Sequence, residues 1–162
     1  GSEVSFNELG TMLSIDRVTV MRYLSLLEQG FVIFHLPPFS RNLRKELGKQ
    51  RKVYFYDLGV RNALINNFNP FELRQDVGAL WENFFISERI KAMHNQRRHP
   101  SGYFWRTYAG KEIDYLEEEG GRLVGFECKW GNEKWRVPTE FLAAYPDSEV
   151  HRVGRDNAWE YF

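Results

Sequence analysis

The sequence predicts a mixed α/β protein in two parts, with a boundary near residue 70. Two short helical patterns followed by a hairpin pattern fill residues 3–70. A long segment with apolar residues at helical spacing comes next, and it precedes runs of alternating apolar and polar residues typical of strands. A helix before a group of strands in residues 71–162 predicts an α/β (α+β) domain with a mixed central sheet.

The two N-terminal helices are predicted from their capping residues. Ser5, with Glu8 three residues later, forms a capping box for a helix that ends at Leu13. Asp16 can cap a second helix over residues 17–29, which Gly30 terminates. The apolar residues that give this second helix its expected core face are Val20, Tyr23, Leu24 and Leu27.

A predicted hairpin completes the N-terminal part. Residues 31–36 form its first strand, which Pro37 and Pro38 end, and residues 52–56 form the second. Asp57 then caps a helix that runs to about Asn67. Helix, turn, helix and two-stranded wing are the order of a winged-helix domain, so we expect one over residues 3–70.

Basic residues in this part predict a nucleic-acid partner, most simply DNA. The connection between the hairpin strands, with its flanks, carries Arg41, Arg44, Lys45, Lys49, Arg51 and Lys52. Such a loop can lie along phosphates and give salt-sensitive affinity. On the exposed side of the second helix, Arg17, Thr19 and Arg22 are expected to enter a major groove. The alternative is a winged helix that serves only as a protein–protein module, with a basic loop that is merely solvated.

A long helix is predicted from about Val77 to about His94, with Asp76 as its N-cap. Glu82 and Asn83 fall at the rim of its apolar stripe, where a polar side chain can lean toward the sheet. For Glu82 an equally good interpretation is a favourable interaction with the helix dipole, because the residue lies in the N-terminal half of the helix.

Three strands are predicted over residues 102–107, 112–118 and 123–130, with a turn at 119–121. Alternation puts Glu127 and Lys129 on one face of the third strand and its apolar residues on the other. The same rule puts Glu112, Asp114 and Leu116 on one face of the second strand and Ile113 and Tyr115 on the opposite face. A helix from residue 138 to 145 and a strand over residues 149–153 are expected to complete the sheet.

Two carboxylates and a lysine on these strands predict a candidate metal-dependent phosphodiesterase site. If the polar faces coincide, Asp114 and Glu127 can both reach one ion, and Mg²⁺ or Mn²⁺ suits oxygen ligands. Lys129 would stabilise the charge that develops on a phosphodiester in the transition state. The alternative is a surface Glu–Lys pair on a solvated sheet face, which contributes little to stability.

Four motifs occur in order along this part: residues 78–84 (GALWENF), 103–107 (YFWRT), 111–115 (KEIDY) and 126–129 (FECK). Together they resemble a domain of unknown function that follows the ATPase core in a large group of prokaryotic AAA+ ATPases. The fold of that domain is similar to the PD-(D/E)XK nucleases, so the resemblance implies a restriction-endonuclease-like domain over residues 71–162.

The resemblance also implies roles for individual residues. Glu82, Asp114 and Glu127 become metal-side carboxylates, and Lys129 becomes the lysine that steadies the attacking water or the scissile phosphate. Arg106 matches the arginine of the first strand of the family. Members of this fold include inactive, purely binding proteins, so the resemblance equally allows a non-catalytic DNA- or protein-binding adaptor that regulates the ATPase.

The composition limits the expected surroundings of the chain. No apolar run approaches the ~20 residues that a membrane helix requires, so no membrane partner is expected. A single cysteine cannot form an internal disulfide, which is typical of a reducing cytoplasm. The phosphate-loop pattern G-x-x-x-x-G-K-[ST] is missing from the sequence, so ATP is expected only in the ATPase core implied by the resemblance. That core, in the same polypeptide, is an expected partner.

Overall fold

The computed structural model describes residues 2–39, 50–107, 109–131 and 134–162. Within these ranges the chain forms five α-helices and two β-sheets. The helices are α1 (Phe6–Leu13), α2 (Arg17–Gln29), α3 (Leu58–Leu64), α4 (Val77–Asn95) and α5 (Thr139–Ala144). The strands are β1 (Ser2–Ser5), β2 (Ile33–Leu36), β3 (Gln50–Phe55), β4 (Ser101–Arg106), β5 (Glu112–Glu119), β6 (Arg122–Cys128) and β7 (Glu149–Val153). The predicted α/β class and mixed sheet are confirmed.

Capping side chains begin the N-terminal helices as predicted. The Glu8 amide donates to Ser5 Oγ at 3.5 Å at the start of α1. The Thr19 amide donates to Asp16 Oδ1 at 2.9 Å at the start of α2. At α4 the N-cap residue is Asp76, but its side chain makes no capping bond because the carboxylate binds Arg74 instead, at 2.8 Å.

The N-terminal sheet has the order β1–β3–β2, and both of its pairings are antiparallel. Strand β1 was not predicted. Val20 of α2 is buried and Leu24 is half-buried, whereas Tyr23 and Leu27 are exposed. The prediction that Tyr23 and Leu27 lie on the core face of α2 is therefore wrong. The elements on which α2 packs, α1 and β2, cover a narrower stripe of the helix than the one predicted.

The C-terminal sheet has the order β4–β5–β6–β7. Its first two pairings are antiparallel, and β6 pairs with β7 in parallel. Residues 37–39 extend the outer edge of this sheet, since the Phe39 amide donates to the Phe104 carbonyl at 2.6 Å. The chain that leaves the N-terminal sheet is thus hydrogen-bonded to the C-terminal one.

One hydrophobic cluster joins the two parts of the chain. Phe34 of β2 and Tyr54 of β3 pack in the same cluster as Phe85 of α4 and Phe126 of β6. A second cluster lies in the C-terminal part and includes Trp105, Ile113, Leu116 and Phe141. In the part of the chain that is described, no helix combines the length and apolar character needed to cross a membrane.

A β-bulge in β5 corrects the predicted alternation of that strand. Tyr103 pairs with Leu116 while Trp105 pairs with Ile113, so the one intervening residue of β4, Phe104, faces two residues of β5, Asp114 and Tyr115. The extra residue brings Ile113 and Leu116 into one cluster and leaves Tyr115 in the other. The prediction that Leu116 and Ile113 lie on opposite faces was therefore wrong.

Candidate functional site

The bulge in β5 turns Asp114 toward the neighbouring strand. The ladder between β5 and β6 ends at the pair Tyr115–Phe126, so the amide of Cys128 lies beyond it. That amide donates to Asp114 Oδ2 at 2.9 Å. The carboxylate takes the place of a strand partner and is buried where the two strands separate.

Lys52 of β3 extends into this position from the N-terminal sheet. Its Nζ lies 3.5 Å from Asp114 Oδ1 and 3.3 Å from Glu82 Oε1, and it also contacts Glu112 Oε1. The ammonium is 5.6 Å from the centre of the Phe104 ring, and the residue is only 4% exposed. One buried ammonium therefore forms ion pairs with three carboxylates.

Glu82 reaches the same ammonium from helix α4. Its Oε1 also accepts a hydrogen bond of 2.6 Å from the hydroxyl of Tyr54, which is fully buried. The next residue, Asn83, bonds both backbone groups of Phe55, with distances of 3.0 Å from the amide and 2.7 Å to the carbonyl. Glu82 and Asn83 were expected to lean toward the C-terminal sheet, whereas these hydrogen bonds join them to strand β3 of the N-terminal sheet.

Glu127 and Lys129 form a pair beside this group. Lys129 Nζ lies 2.7 Å from Glu127 Oε1. Glu127 is 5% exposed, and its Oε2 is buried without a hydrogen-bond partner among the described residues. Burial raises the pKa of Glu127 above its ordinary value, against the opposing attraction of Lys129.

The environment of Asp114 makes it the most perturbed of these carboxyl groups. Burial raises its pKa to about 7, and the negative charges of Glu82 and Glu127 act in the same direction. Lys52 and the Cys128 amide oppose this shift but do not cancel it. A carboxyl group with such a pKa exchanges its proton near neutral pH.

A cleft of about 580 Å³ opens on one side of this cluster. Its acidic lining comes from Glu112, Asp114 and Glu127, and its basic lining includes Lys129 and Arg136. Glu82, by contrast, is not among the residues that line the cleft, and it is connected to the cluster by its ion pair with Lys52. Three of the predicted site residues, Asp114, Glu127 and Lys129, therefore share one cleft, and Glu82 is linked to them through Lys52.

The arrangement does not fit a metal ion held by three of these carboxylates. Among the described residues, no three His, Cys, Asp or Glu side chains are grouped so that they could hold one. Lys52 Nζ lies between Glu82 and Asp114, two of the three predicted ligands, and supplies a positive charge there. In the folded protein the ammonium of Lys52 already provides a positive charge beside these carboxylates.

The predicted nucleic-acid contacts are only partly described. Arg17 and Arg22 are exposed on α2, whereas Thr19 is half-buried and its hydroxyl donates to Asp16 Oδ2 at 2.6 Å. Four of the predicted loop residues, Arg41, Arg44, Lys45 and Lys49, lie outside the described residues. Arg51 is half-buried, contacts Nε2 of His35 and lies 5.8 Å from the centre of the Phe6 ring.

The prediction that Lys52 contacts nucleic acid is wrong. Contact with nucleic acid needs an accessible ammonium, but this one is buried among carboxylates of the C-terminal part. Residue 52 was predicted to begin the second hairpin strand, and it does lie in β3, but its ammonium was grouped with the basic loop and is in fact buried. Strand alternation was the signal that could have located it, since Lys52 shares a strand face with the fully buried Tyr54.

Glu112 and Tyr54 also belong to the site, although neither was predicted to be functional. Glu112 contacts Lys52 and lines the cleft. Tyr54 donates its hydrogen bond to Glu82. Arg106, which the resemblance had singled out, lies at the end of β4 with its Nε 3.8 Å from Glu112 Oε2.

Comparisons with known proteins cover most of the chain. Residues 1–70 match the model of one domain of unknown function (DUF8612), and residues 77–156 match that of another (DUF4143). Domains of the second kind are typically found C-terminal to AAA ATPase domains. No solved structure matches the chain.

Two relatives are uncharacterised proteins of mycobacteria. One is from Mycobacterium tuberculosis and the other from Mycobacterium bovis, and each is 32% identical over 131 residues. The aligned region covers 80% of this chain but 29% of each relative. The chain thus corresponds to less than a third of the length of these relatives.

Proposed function

We propose that this chain is an accessory domain of an AAA ATPase, an adaptor that regulates the ATPase without catalysing a reaction itself. The observation that carries the proposal is the burial of Lys52 among Glu82, Glu112 and Asp114. An ammonium in this position neutralises carboxylates that a nuclease would use for its metal ion. On this proposal the ion pairs of Lys52 connect the N-terminal sheet with the C-terminal part of the chain.

The match of residues 77–156 supports the association with an ATPase, because domains of that kind usually follow one. The greater length of the mycobacterial relatives is consistent with an additional domain. On this proposal, the ATPase domain belongs to the same polypeptide, and ATP binds there.

The surface of the N-terminal helices favours a protein partner. Half of the large apolar side chains that are exposed among the described residues lie on α1, on α2 and in the turn after α2, and most of the others lie in residues 60–73. The N-terminal set is Met12, Leu13, Val18, Met21, Tyr23, Leu26, Leu27 and Phe31. Val18, next to the exposed Arg17, is 74% exposed. Large apolar patches of this kind mark protein interfaces, whereas phosphate contacts rely on basic and polar groups. We therefore propose the ATPase domain as the partner of this face.

The first experiment tests catalysis. Supercoiled plasmid is incubated with the parent protein and Mg²⁺ or Mn²⁺, and nicking is followed by gel electrophoresis. An adaptor leaves the plasmid intact. Nicking that disappears in both Asp114→Ala and Lys129→Ala would overturn the proposal.

The second experiment tests the docking face with two variants that add the same charge to an exposed helical position. Leu26→Glu puts a carboxylate into the apolar face of α2, while Asn95→Glu puts it at the exposed end of α4, outside that face. Binding to the AAA ATPase domain, supplied as a separate polypeptide, is measured by calorimetry. We expect Leu26→Glu to weaken binding at least tenfold and Asn95→Glu to change it little; equal effects would argue against this face.

A metal-dependent phosphodiesterase acting on nucleic acid is the second candidate, and Glu127 favours it. Its Oε2 is buried without a hydrogen-bond partner among the described residues, in a side chain that lines the cleft with Asp114 and Lys129. Such an enzyme would use Mg²⁺ or Mn²⁺ and would bind DNA through Arg17, Arg22 and the basic segment 41–51. It predicts plasmid nicking and a DNA affinity that falls steeply with salt, and the adaptor predicts neither.

A further inference from the structure

A second cleft, of about 500 Å³, has aromatic walls and shares no lining residue with the cleft beside Asp114. Helix α4, the segment between α3 and α4, the end of β6 and the C-terminal residues all contribute to it. We call it the aromatic cleft, after its six aromatic residues: Phe68, Phe71, Trp81, Phe84, Trp130 and Trp159. Its volume lies within the range of sites that bind a ligand or an inserted side chain.

The aromatic cleft has a fixed inner wall and an exposed rim. Trp81 is buried, and its indole N–H donates to the Val153 carbonyl at 3.2 Å. By contrast, Phe68, Phe71 and Trp159 are between 56% and 72% exposed. A small ligand would cover the cavity but leave such a rim in water, whereas a protein segment covers both. Exposed aromatic residues around a concave apolar surface therefore favour a protein partner.

The charge at this cleft favours a partner with a carboxylate. Among the described residues its lining contains two arginines and no acidic residue. Arg74 is already paired, with its Nε 2.8 Å from Asp76 Oδ1. Arg155 is exposed and has no ion pair within the described part of the chain, and its Cζ lies 4.6 Å from the centre of the Trp130 ring. A guanidinium held against a ring keeps N–H groups that can bind a carboxylate in a bidentate manner.

We propose that the aromatic cleft binds a segment of a partner protein in which a large apolar side chain lies beside a carboxylate. The apolar side chain enters between Trp81 and Trp159, and the carboxylate pairs with Arg155. This cleft shares no residue with the face of α1 and α2 that we assign to the ATPase domain. The chain would thus hold the ATPase on one face and a second protein on the other. This role extends the proposed adaptor, but binding at the cleft itself does not require the ATPase domain.

The test uses intrinsic fluorescence of this chain alone, because three of its five tryptophans line the aromatic cleft. The probe is the tryptophan-free peptide acetyl-Gly-Asp-Phe-Leu-Asp-Gly-amide. One control peptide has Asn in place of both Asp residues, and the other has Ala in place of Phe and Leu. We expect a saturable change with the probe and affinities at least about fivefold lower for each control peptide, since each lacks one of the two interactions.

Two variants locate the binding site, each with a matched control elsewhere on the chain. Trp159→Ala removes an exposed rim residue, and Tyr23→Ala removes an exposed aromatic residue of the N-terminal face. Arg155→Gln removes the unpaired charge, and Arg136→Gln removes an exposed charge at the other cleft. We expect Trp159→Ala and Arg155→Gln to weaken binding of the probe at least about fivefold and the controls less than about twofold. Arg155→Gln should leave the affinity for the Asn peptide unchanged, because that peptide has no carboxylate to lose.

Several outcomes would overturn the proposal. They are the lack of a saturable change at millimolar probe, equal affinity for the Asn peptide, and a loss in Tyr23→Ala as large as that in Trp159→Ala. Decanoate that displaces the probe and binds more tightly would identify a site for small carboxylates instead. A dimer in sedimentation that Trp159→Ala dissociates would show that a second copy of the chain occupies the cleft. None of these measurements involves plasmid nicking or the ATPase domain, so the adaptor stands or fails separately.

Discussion

At the scale of single residues, the site depends on the competition between burial and pairing. Asp114 accepts a hydrogen bond from Cys128 and lies beside Lys52, and both interactions favour its charged form. Burial and two neighbouring carboxylates favour its protonated form, and they dominate. The pKa of Asp114 therefore rises to about 7 although a lysine lies within ion-pair distance.

This raised pKa predicts a pH dependence of stability. Between about pH 4 and pH 7 the folded protein holds a proton on Asp114 that the unfolded chain, with an ordinary value of 3.8, has lost. The free energy of unfolding should therefore fall as the pH rises through this window. Asp114→Asn should lose most of this slope, while the part due to Glu127, of the same sign, is retained. Urea unfolding across the window provides the measurement, and equal slopes in the two proteins would contradict it.

A second prediction concerns the hydroxyl of Tyr54. Tyr54→Phe removes the bond of 2.6 Å to Glu82 and leaves that half-buried carboxylate with one hydrogen bond fewer. Hydrogen bonds to charged groups contribute about 1.5–3 kcal/mol, and we expect a loss of unfolding free energy in that range. Tyr56→Phe is the control, since the Tyr56 hydroxyl has no hydrogen bond among the described residues. Urea unfolding that gives similar losses for both variants would show that the Glu82 bond is unimportant.

At the scale of elements, α4 is joined to the N-terminal sheet by side chains that act as strand partners. Asn83 satisfies both the amide and the carbonyl of Phe55, as a neighbouring strand would. One turn of helix thus continues the hydrogen bonding of β3 beyond Val53, where its neighbour β1 ends, while β2 still pairs with Phe55 on the other side. This explains how a helix in the C-terminal part fixes the position of Lys52, three residues before Phe55.

Asn83→Ala tests this connection. It leaves two backbone groups of Phe55 without their partner, and we expect a destabilisation of about 3 kcal/mol. Asn95→Ala, at the exposed end of the same helix, should change the unfolding free energy by less than about 0.5 kcal/mol. Thermal unfolding followed by circular dichroism compares the two variants, and a small effect of Asn83→Ala would mean that water replaces the amide.

Much of the element order could be predicted from the sequence, because local chemistry determines it. Asp16 and Gly30 delimit α2 at the residues predicted, and β7 forms over its predicted range. Strand β1 was missed because its residues Ser-Glu-Val-Ser have little apolar character. The bulge in β5 was also missed, since alternation counts residues and carries no information about a neighbouring strand.

The candidate site was predicted only in part for a similar reason. Asp114, Glu127 and Lys129 line one cleft because two adjacent strands carry them. Lys52 comes from a strand far away in the sequence, and its role depends on packing between two sheets. Residue 52 was predicted to lie in the second hairpin strand, but its charge was grouped with the basic loop, although alternation with Tyr54 along that strand would have suggested burial.

At the scale of the whole molecule, a shared core makes the two parts depend on each other. Phe34 and Tyr54 lie in the cluster that contains Trp81, Phe85 and Phe126. Neither part could be removed without exposing apolar surface of the other. The boundary near residue 70 divides the sequence, while packing continues across it.

This shared core predicts a single cooperative unfolding transition. All five tryptophans lie between residues 81 and 159, so their fluorescence reports on the C-terminal part, whereas far-ultraviolet circular dichroism also reports on α1 and α2. The two signals should give the same midpoint within about 1 °C. Melting of the helices at a clearly lower temperature would mean that the N-terminal part is an independent unit.

The parallel pairing of β6 with β7 has a consequence for the mouth of the cleft. A parallel neighbour requires the chain to cross over from one end of the sheet to the other, and here residues 129–148 make that crossing. Trp135, Val137 and Thr139 of this crossing form one wall of the cleft. Insertions or substitutions in the connection can therefore reshape the entrance while the strands that carry Asp114 and Glu127 keep their register, which gives evolution a place to alter selectivity without rebuilding the sheet.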